Sequence, residues 1–279
     1  MPAAIREIAH RFPGRPAEDG AGVKLTRLLD PSQARLADPF LMLDEFRSES
    51  PNDYISGFPM HPHRGFETVT CMIEGRMRHR DNQGNTGDLG PGSVQWMKAA
   101  RGIVHEEMPR QQDGLLWGYQ LWLNLPARLK MATPEYQDID AAQIPQSTLA
   151  GGGRVRIIAG AFAGIRGAVA ERPTAAHLLD LQLPAHQRFR WTAPVGHTVL
   201  LQGVLGAVRV GSTEAPLQAR ELVLLGPGSD VELLAVTEAR VLVLSGQPIG
   251  EPIAAYGPFV MNSADEVRQA FDDFRAGRF

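Results

Sequence analysis

Two short stretches carry most of the residues in this chain that could do chemistry. In "FPMHPHRGFETVT" (58–70), His61 and His63 stand one residue apart and Glu67 follows four residues later. In "GIVHEEMP" (102–109), His105 and Glu107 repeat the i, i+2 spacing. Residues i and i+2 of a strand share a face. An extended backbone therefore points His61, His63 and Glu67 to one side, subject to local distortion at Gly65. The same parity pairs His105 with Glu107 and turns Glu106 the other way, toward solvent. A helix would splay His61 and His63 by about 200°, and Pro62 with the preceding "GFP" opposes helix in any case.

Two imidazoles alone hold a metal weakly, so further ligands must come from elsewhere. If the two stretches are neighbouring antiparallel strands, they offer three imidazoles and one carboxylate to an inward-facing cation. Such nitrogen and oxygen donors suit Fe(II), Mn, Co, Ni or Zn, and with positions left open they favour oxygen-type iron chemistry. A structural zinc site would use thiolates, and the chain has one cysteine, Cys71, which also excludes an intrachain disulfide. Cys71 lies in an apolar alternating run and reads as a buried small hydrophobe. Glu67 has two readings: a fourth or fifth ligand, or an acceptor that orients an imidazole. A lone histidine in a β core is ordinarily hydrogen-bonded structure, and His10, His79, His177, His186 and His197 are read that way. Trp96, Trp117 and Trp122 read as core, and Arg64 as a structural ion-pair donor.

The elements that must position these residues are strands. "ETVTCMIEG" alternates into a Gly stop, "RMRHRDNQGNTGDLGPGSV" reads as a hairpin around "DNQGN", and "VQWMKA" and "LLWGYQLWLNL" continue with aromatic and branched residues. "PARLKMATPEYQDIDAAQIPQ", with its three prolines, reads as a linker. Strand-like runs resume in "RVRIIAG", "HLLDLQL", "TVLLQGVLGAVRVG", "ELVLLGPG", "VELLAV" and "ARVLVLSG". One helix is expected, in "NSADEVRQAFDDFRAGRF": Asn262 or Ser263 can cap it, acids sit early, and Val267, Phe271 and Phe274 share a stripe. The pentamer "LGPGS" occurs twice, following Gly-ended strands each time, and suggests two related halves. The expected division is 1–133, a linker at 134–150, and 151–279, with a barrel in each half.

Composition sets the outer bounds. The 279 residues are 43% hydrophobic and 21% charged, which supports a sizeable core and not wholesale disorder. A net charge of −3 argues against a surface built wholly for nucleic acid. The start lacks the long apolar core of a leader and no stretch approaches a membrane span, so a cytoplasmic protein without direct nucleic-acid or membrane binding is expected.

The motifs also carry a resemblance. "FPMHPHRGFETVTCMIEG" with "GNTGDLGPGSVQWMKAARGIVHEEMP" closely resembles the signature of the pirins, a branch of the cupin superfamily, and "DPFLMLDEF", "LWLNLP", "YQDI" and "GEPIAAYGPFVMNSADEVRQAF" extend it over nearly the whole chain. The resemblance implies an all-β bicupin: two tandem β-sandwich or jelly-roll barrels and a short C-terminal helix, with one mononuclear divalent metal in the first barrel, Fe(II) foremost. Carried over by position, its ligands fall on His61, His63, His105 and Glu107, with Glu107 a candidate base as well. Glu67 then becomes an acceptor orienting an imidazole. In the second half, Trp191 and Ala193 answer to His61 and His63, so no metal is expected there. The resemblance further implies a monomer and a quercetin 2,3-dioxygenase-like activity on flavonol-type substrates with O2. Its alternative is a redox-dependent regulator that binds a transcription factor or a metabolic enzyme; a metal-dependent isomerase or hydrolase is a third reading, since fold does not fix function.

Overall fold

The computed structural model describes residues 4–279. The chain forms two compact units: residues 15–141 with 249–279, and residues up to Gly14 with 142–248. Each terminus therefore belongs with the other half of the sequence, unlike the simple two-way division expected from the prolines. The linker expected at 134–150 contains strands: Glu135–Ile139 pairs with Val94–Lys98, and Gln146–Thr148 pairs with Arg154–Ala159. The prolines mark the ends of these edge strands, where a missing donor costs little.

In the first unit a seven-stranded antiparallel sheet runs in the order Glu135–Ile139, Val94–Lys98, Phe66–Glu74, Leu116–Asn124, Phe40–Ser48, Val23–Leu29, Arg15–Asp19. A four-stranded sheet runs Phe58–His63, Ile103–Pro109, Met77–Asp81, Thr86–Leu89. The second unit repeats the plan with a seven-stranded and a four-stranded sheet in matching order. The duplication is real, but the two "LGPGS" turns are not equivalent positions. The first lies between Thr86–Leu89 and Val94–Lys98; the second follows Glu221–Leu225, which occupies the place of Val94–Lys98 in its own sheet.

The interiors differ. In the second unit Arg188–Thr192 stands where Phe58–His63 stands in the first, and Trp191 faces Val231 across the ladder as His61 faces His105. Trp191, Ala193 and Val231 are buried in a continuous apolar cluster with Leu181, Val199 and Leu233. Each fully buried aliphatic side chain stabilises by roughly 1.5–3 kcal/mol, so this barrel is filled with core. The first unit has a smaller cluster around Phe46, Met72 and Leu116, and a cavity of about 730 Å³ occupies the remaining space.

The expected helix is Ala264–Arg275 in the first unit, with Ser263 as N-cap in a reciprocal capping box with Glu266. Phe259 packs against Phe271 and Phe274. Arg64 is an ion-pair donor as read, 2.7 Å from Asp273. The single turn Ala127–Lys130 was not legible in the sequence. Among the described residues no helix is long and apolar enough to cross a membrane.

Candidate metal centre

Phe58–His63 and Ile103–Pro109 are adjacent antiparallel strands, with His61 directly opposite His105 and His63 opposite Ile103. One nitrogen from each of His61, His63 and His105 lies within 4.8 Å of the others. His61 Nδ1 is 2.8 Å from the Pro59 carbonyl, to which it donates, leaving Nε2 as a lone pair directed at His63 Nε2, 3.0 Å away. Burial pushes His63 and His105 well below the ordinary imidazole value, and the neighbouring histidines push further. Both rings are neutral near pH 7, the form that ligates metal.

His79, read from the sequence as ordinary core, stands directly behind this group. It is fully buried on Met77–Asp81, and its Nδ1 is 3.3 Å from His105 Nδ1. With His105 donating, its Nε2, a buried atom with no hydrogen-bond partner, is left as a lone pair. Burial holds His79 at about 4, so it stays a neutral acceptor. The signal for it was available: His79 alternates with Arg78 and Arg80 on a hairpin strand and so points inward.

Glu107 lies outside the three-nitrogen group but lines the same cavity. Its Oε1 is 2.8 Å from Thr70 Oγ1 and its Oε2 accepts from Gln120 Nε2 at 2.8 Å, while Thr70 Oγ1 is also 2.7 Å from Gln120 Oε1. One hydroxyl hydrogen cannot serve two acceptors, and flipping the Gln120 amide leaves the count unchanged. The triangle is one hydrogen short while Glu107 is ionised and closes once the carboxylate has taken up a proton. Burial pushes this carboxyl up, against the pull of those hydrogen bonds.

Glu67 is a correction to the parity argument. The chain turns at Gly65, where φ is +92° and a Cβ would collide with the Val260 carbonyl. Residues 58–63 and 66–74 therefore belong to different sheets, and side-chain parity does not carry across the turn. Glu67 is buried opposite Leu123 and Lys98, on the other face of its strand from Thr70, which meets Glu107. The Pro59 carbonyl orients His61, His79 orients His105, and Thr70 and Gln120 hold Glu107. Glu106, expected in solvent, is largely covered and pairs with Arg80 at 2.7 Å. Behind the Gly65 turn, Lys130 is buried and donates to the Gly65 carbonyl at 2.7 Å, Asn124 Oδ1 at 2.7 Å and the Val260 carbonyl at 2.9 Å.

Gln120 belongs to a row that crosses the large sheet in register: Arg27 opposite Asp44, Asp44 opposite Gln120, Gln120 opposite Thr70, Thr70 opposite Gln95, Gln95 opposite Asp138. Arg27, Asp44 and Gln120 line the cavity from this sheet; His61, His63 and Glu107 line it from the other. Asp19 joins them, and much of the remaining wall is apolar, with Met42, Phe46, Phe58 and Trp122. Trp122, read as core, is thus a wall of the site.

The pirin family profile matches residues 22–123, and that of the pirin C-terminal cupin domain matches residues 178–279. The chain belongs to the pirin family. A pirin-like protein of Caulobacter vibrioides is 49% identical over 278 residues, covering 99% of each chain. Mouse pirin is 36% identical over 278 residues, covering 98% of this chain and 93% of its own. Among solved structures, a quercetin 2,3-dioxygenase from Acinetobacter baumannii superposes with a TM-score of 0.92 at 35% identity, covering 99% of both chains. The bicupin architecture and the pirin resemblance are thereby established for this pirin.

Proposed function

We propose that this pirin is a metal-dependent dioxygenase acting on flavonol-type substrates, with His61, His63, His105 and Glu107 holding one divalent ion, Fe(II) foremost. The observation that carries the reading is the convergence of three imidazoles, two of them, His61 and His63, lining a largely apolar cavity large enough for a three-ring ligand. The donor set fits the ion: two lone pairs at Nε2 are fixed by bonds at the opposite ring nitrogens, and the third imidazole lies within 4.8 Å of both. When bound, the ion would lower the pKa of a chelating hydroxyl and supply a centre for O2 chemistry.

The protein's own residues do the rest. Met42, Phe46, Phe58 and Trp122 bind the rings and exclude water. Glu107, buried and raised in basicity, is a better acceptor for an enolic hydroxyl proton than a solvated carboxylate. Thr70 and Gln120 hold its two oxygens, so the proton arrives at a carboxylate already oriented. The similarity to a quercetin 2,3-dioxygenase of Acinetobacter baumannii supports the substrate class. The test is O2 consumption with a panel of flavonols and enediols by iron-loaded protein and by His61→Ala. Flavonol-dependent uptake that His61→Ala loses together with its metal is expected; equal uptake by the metal-free variant would end the mechanism.

A further inference from the structure

The cavity has a second polar pole that the metal centre does not use. Arg27 lines it and grips Asp44 with two nitrogens, Nε to Oδ1 at 3.0 Å and Nη2 to Oδ2 at 2.8 Å. Nη2 also reaches Asp19 Oδ2 at 3.5 Å. Nη1 has no hydrogen-bond partner among the described residues, and the side chain keeps 24% of its surface exposed while Asp44 keeps 3%. The guanidinium is therefore fixed in place with one donor edge free. Asp19 and Asp44 both line the cavity beside it.

Register sets the separation of the two poles. Arg27 is opposite Asp44 and Asp44 is opposite Gln120, whose amide holds Glu107. Two interstrand spacings amount to about 10 Å. The wall between the poles is apolar, with Leu25, Met42 and Phe46. A ligand spanning both ends would be planar and apolar in the middle, with polar atoms only at its tips.

We propose that Arg27 determines specificity at the far end of the substrate, which is an aromatic ring bearing a phenolic hydroxyl remote from the chelating oxygens. The phenolic oxygen accepts from Arg27 Nη1, and its hydrogen is donated to a carboxylate oxygen of Asp44 or Asp19. Asp44 and Asp19 both lie against this guanidinium, which disfavours a carboxylate or phosphate there and suits a neutral group that both accepts and donates. Because Asp44 already holds the guanidinium, binding costs little side-chain entropy. This inference rests on the flavonol reading and narrows it.

The test uses metal-loaded full-length protein without O2, so that binding is read apart from turnover, with three flavonols carrying two, one or no hydroxyls on the far ring. The variants are Arg27→Met and Arg27→Lys; the lysine keeps a charge against Asp44 and loses the free fork. The wild type should bind both hydroxylated ligands about tenfold more tightly than the bare one, and both variants should lose about that factor for the hydroxylated pair alone. If Arg27→Met fails to fold, Arg27→Lys and the wild-type ligand series still decide. Equal affinities across the series, equal losses for all three ligands, or no binding at all would overturn the assignment. Hydroxyl-dependent, Arg27-dependent binding with no turnover in air would sink the dioxygenase reading and leave Arg27 its role.

Discussion

Replacing His79 by Phe is the sharpest perturbation of the metal centre that leaves every proposed ligand in place. His79 is fully buried, its Nδ1 is 3.3 Å from His105 Nδ1, and its ring lies 4.8 Å from that of Tyr136. Phenylalanine keeps the ring contact and removes the only acceptor that His105 Nδ1–H has among the described residues. His105 then loses the bond that fixes its tautomer and its tilt. Partners of this kind are worth 10–100-fold in metal affinity, about 1.4–2.7 kcal/mol. The assay is competition for Co(II) or Ni(II) against a chromophoric chelator, with unfolding of the metal-free protein measured alongside. His79 is already neutral above about 4, so the substitution removes no charge, but it leaves the buried His105 donor unpaired, and metal-free stability should fall by about 1–3 kcal/mol. His79→Gln, which restores an acceptor, should recover part of the affinity. Wild-type affinity in a folded His79→Phe, or no recovery in His79→Gln, would contradict this role of His79.

Two further outcomes follow from buried charges. Lys130 is held at about 8, below its ordinary 10.5, by burial. Between those values the unfolded chain keeps a proton that the folded chain has released, so stability should rise with pH by up to about 3 kcal/mol across that window and lack this contribution below pH 8. Denaturant titrations of wild type and Lys130→Met across pH 8–10.5 check this, and a pH-independent difference would contradict it. In the second unit, Asp180 is buried between Arg156 at 2.9 Å and Arg240 at 2.8 and 2.7 Å. Asp180→Asn should destabilise by about 3–5 kcal/mol with metal affinity unchanged; a loss below about 1 kcal/mol would show that the cluster matters little.

The sequence made the site's histidines legible because i, i+2 spacing survives wherever a strand is regular. It failed at Gly65, where one positive-φ residue moved Glu67 into another sheet. Thr70, Gln95, Asp44 and Gln120 were visible only as single polar residues inside apolar runs. Their alignment into a row depends on pairing between strands distant in sequence, and no local pattern encodes that register. The two-barrel plan was legible from recurring strand patterns, whereas the "LGPGS" repeat misled because tight Gly-Pro turns recur for local reasons. The exchange of terminal segments between units was likewise hidden, since edge strands such as Ile8–Pro13 carry little hydrophobic signature.

The proposed centre holds a single ion on His61, His63, His105 and Glu107. Its most direct test is the metal-to-protein ratio, by elemental mass spectrometry, of wild type and His105→Ala after anaerobic reconstitution with Fe(II) and removal of loose metal. One ion per wild-type chain and close to none in a folded His105→Ala are expected. Equal loading of the two proteins, or an unloaded wild type, would contradict the proposed centre.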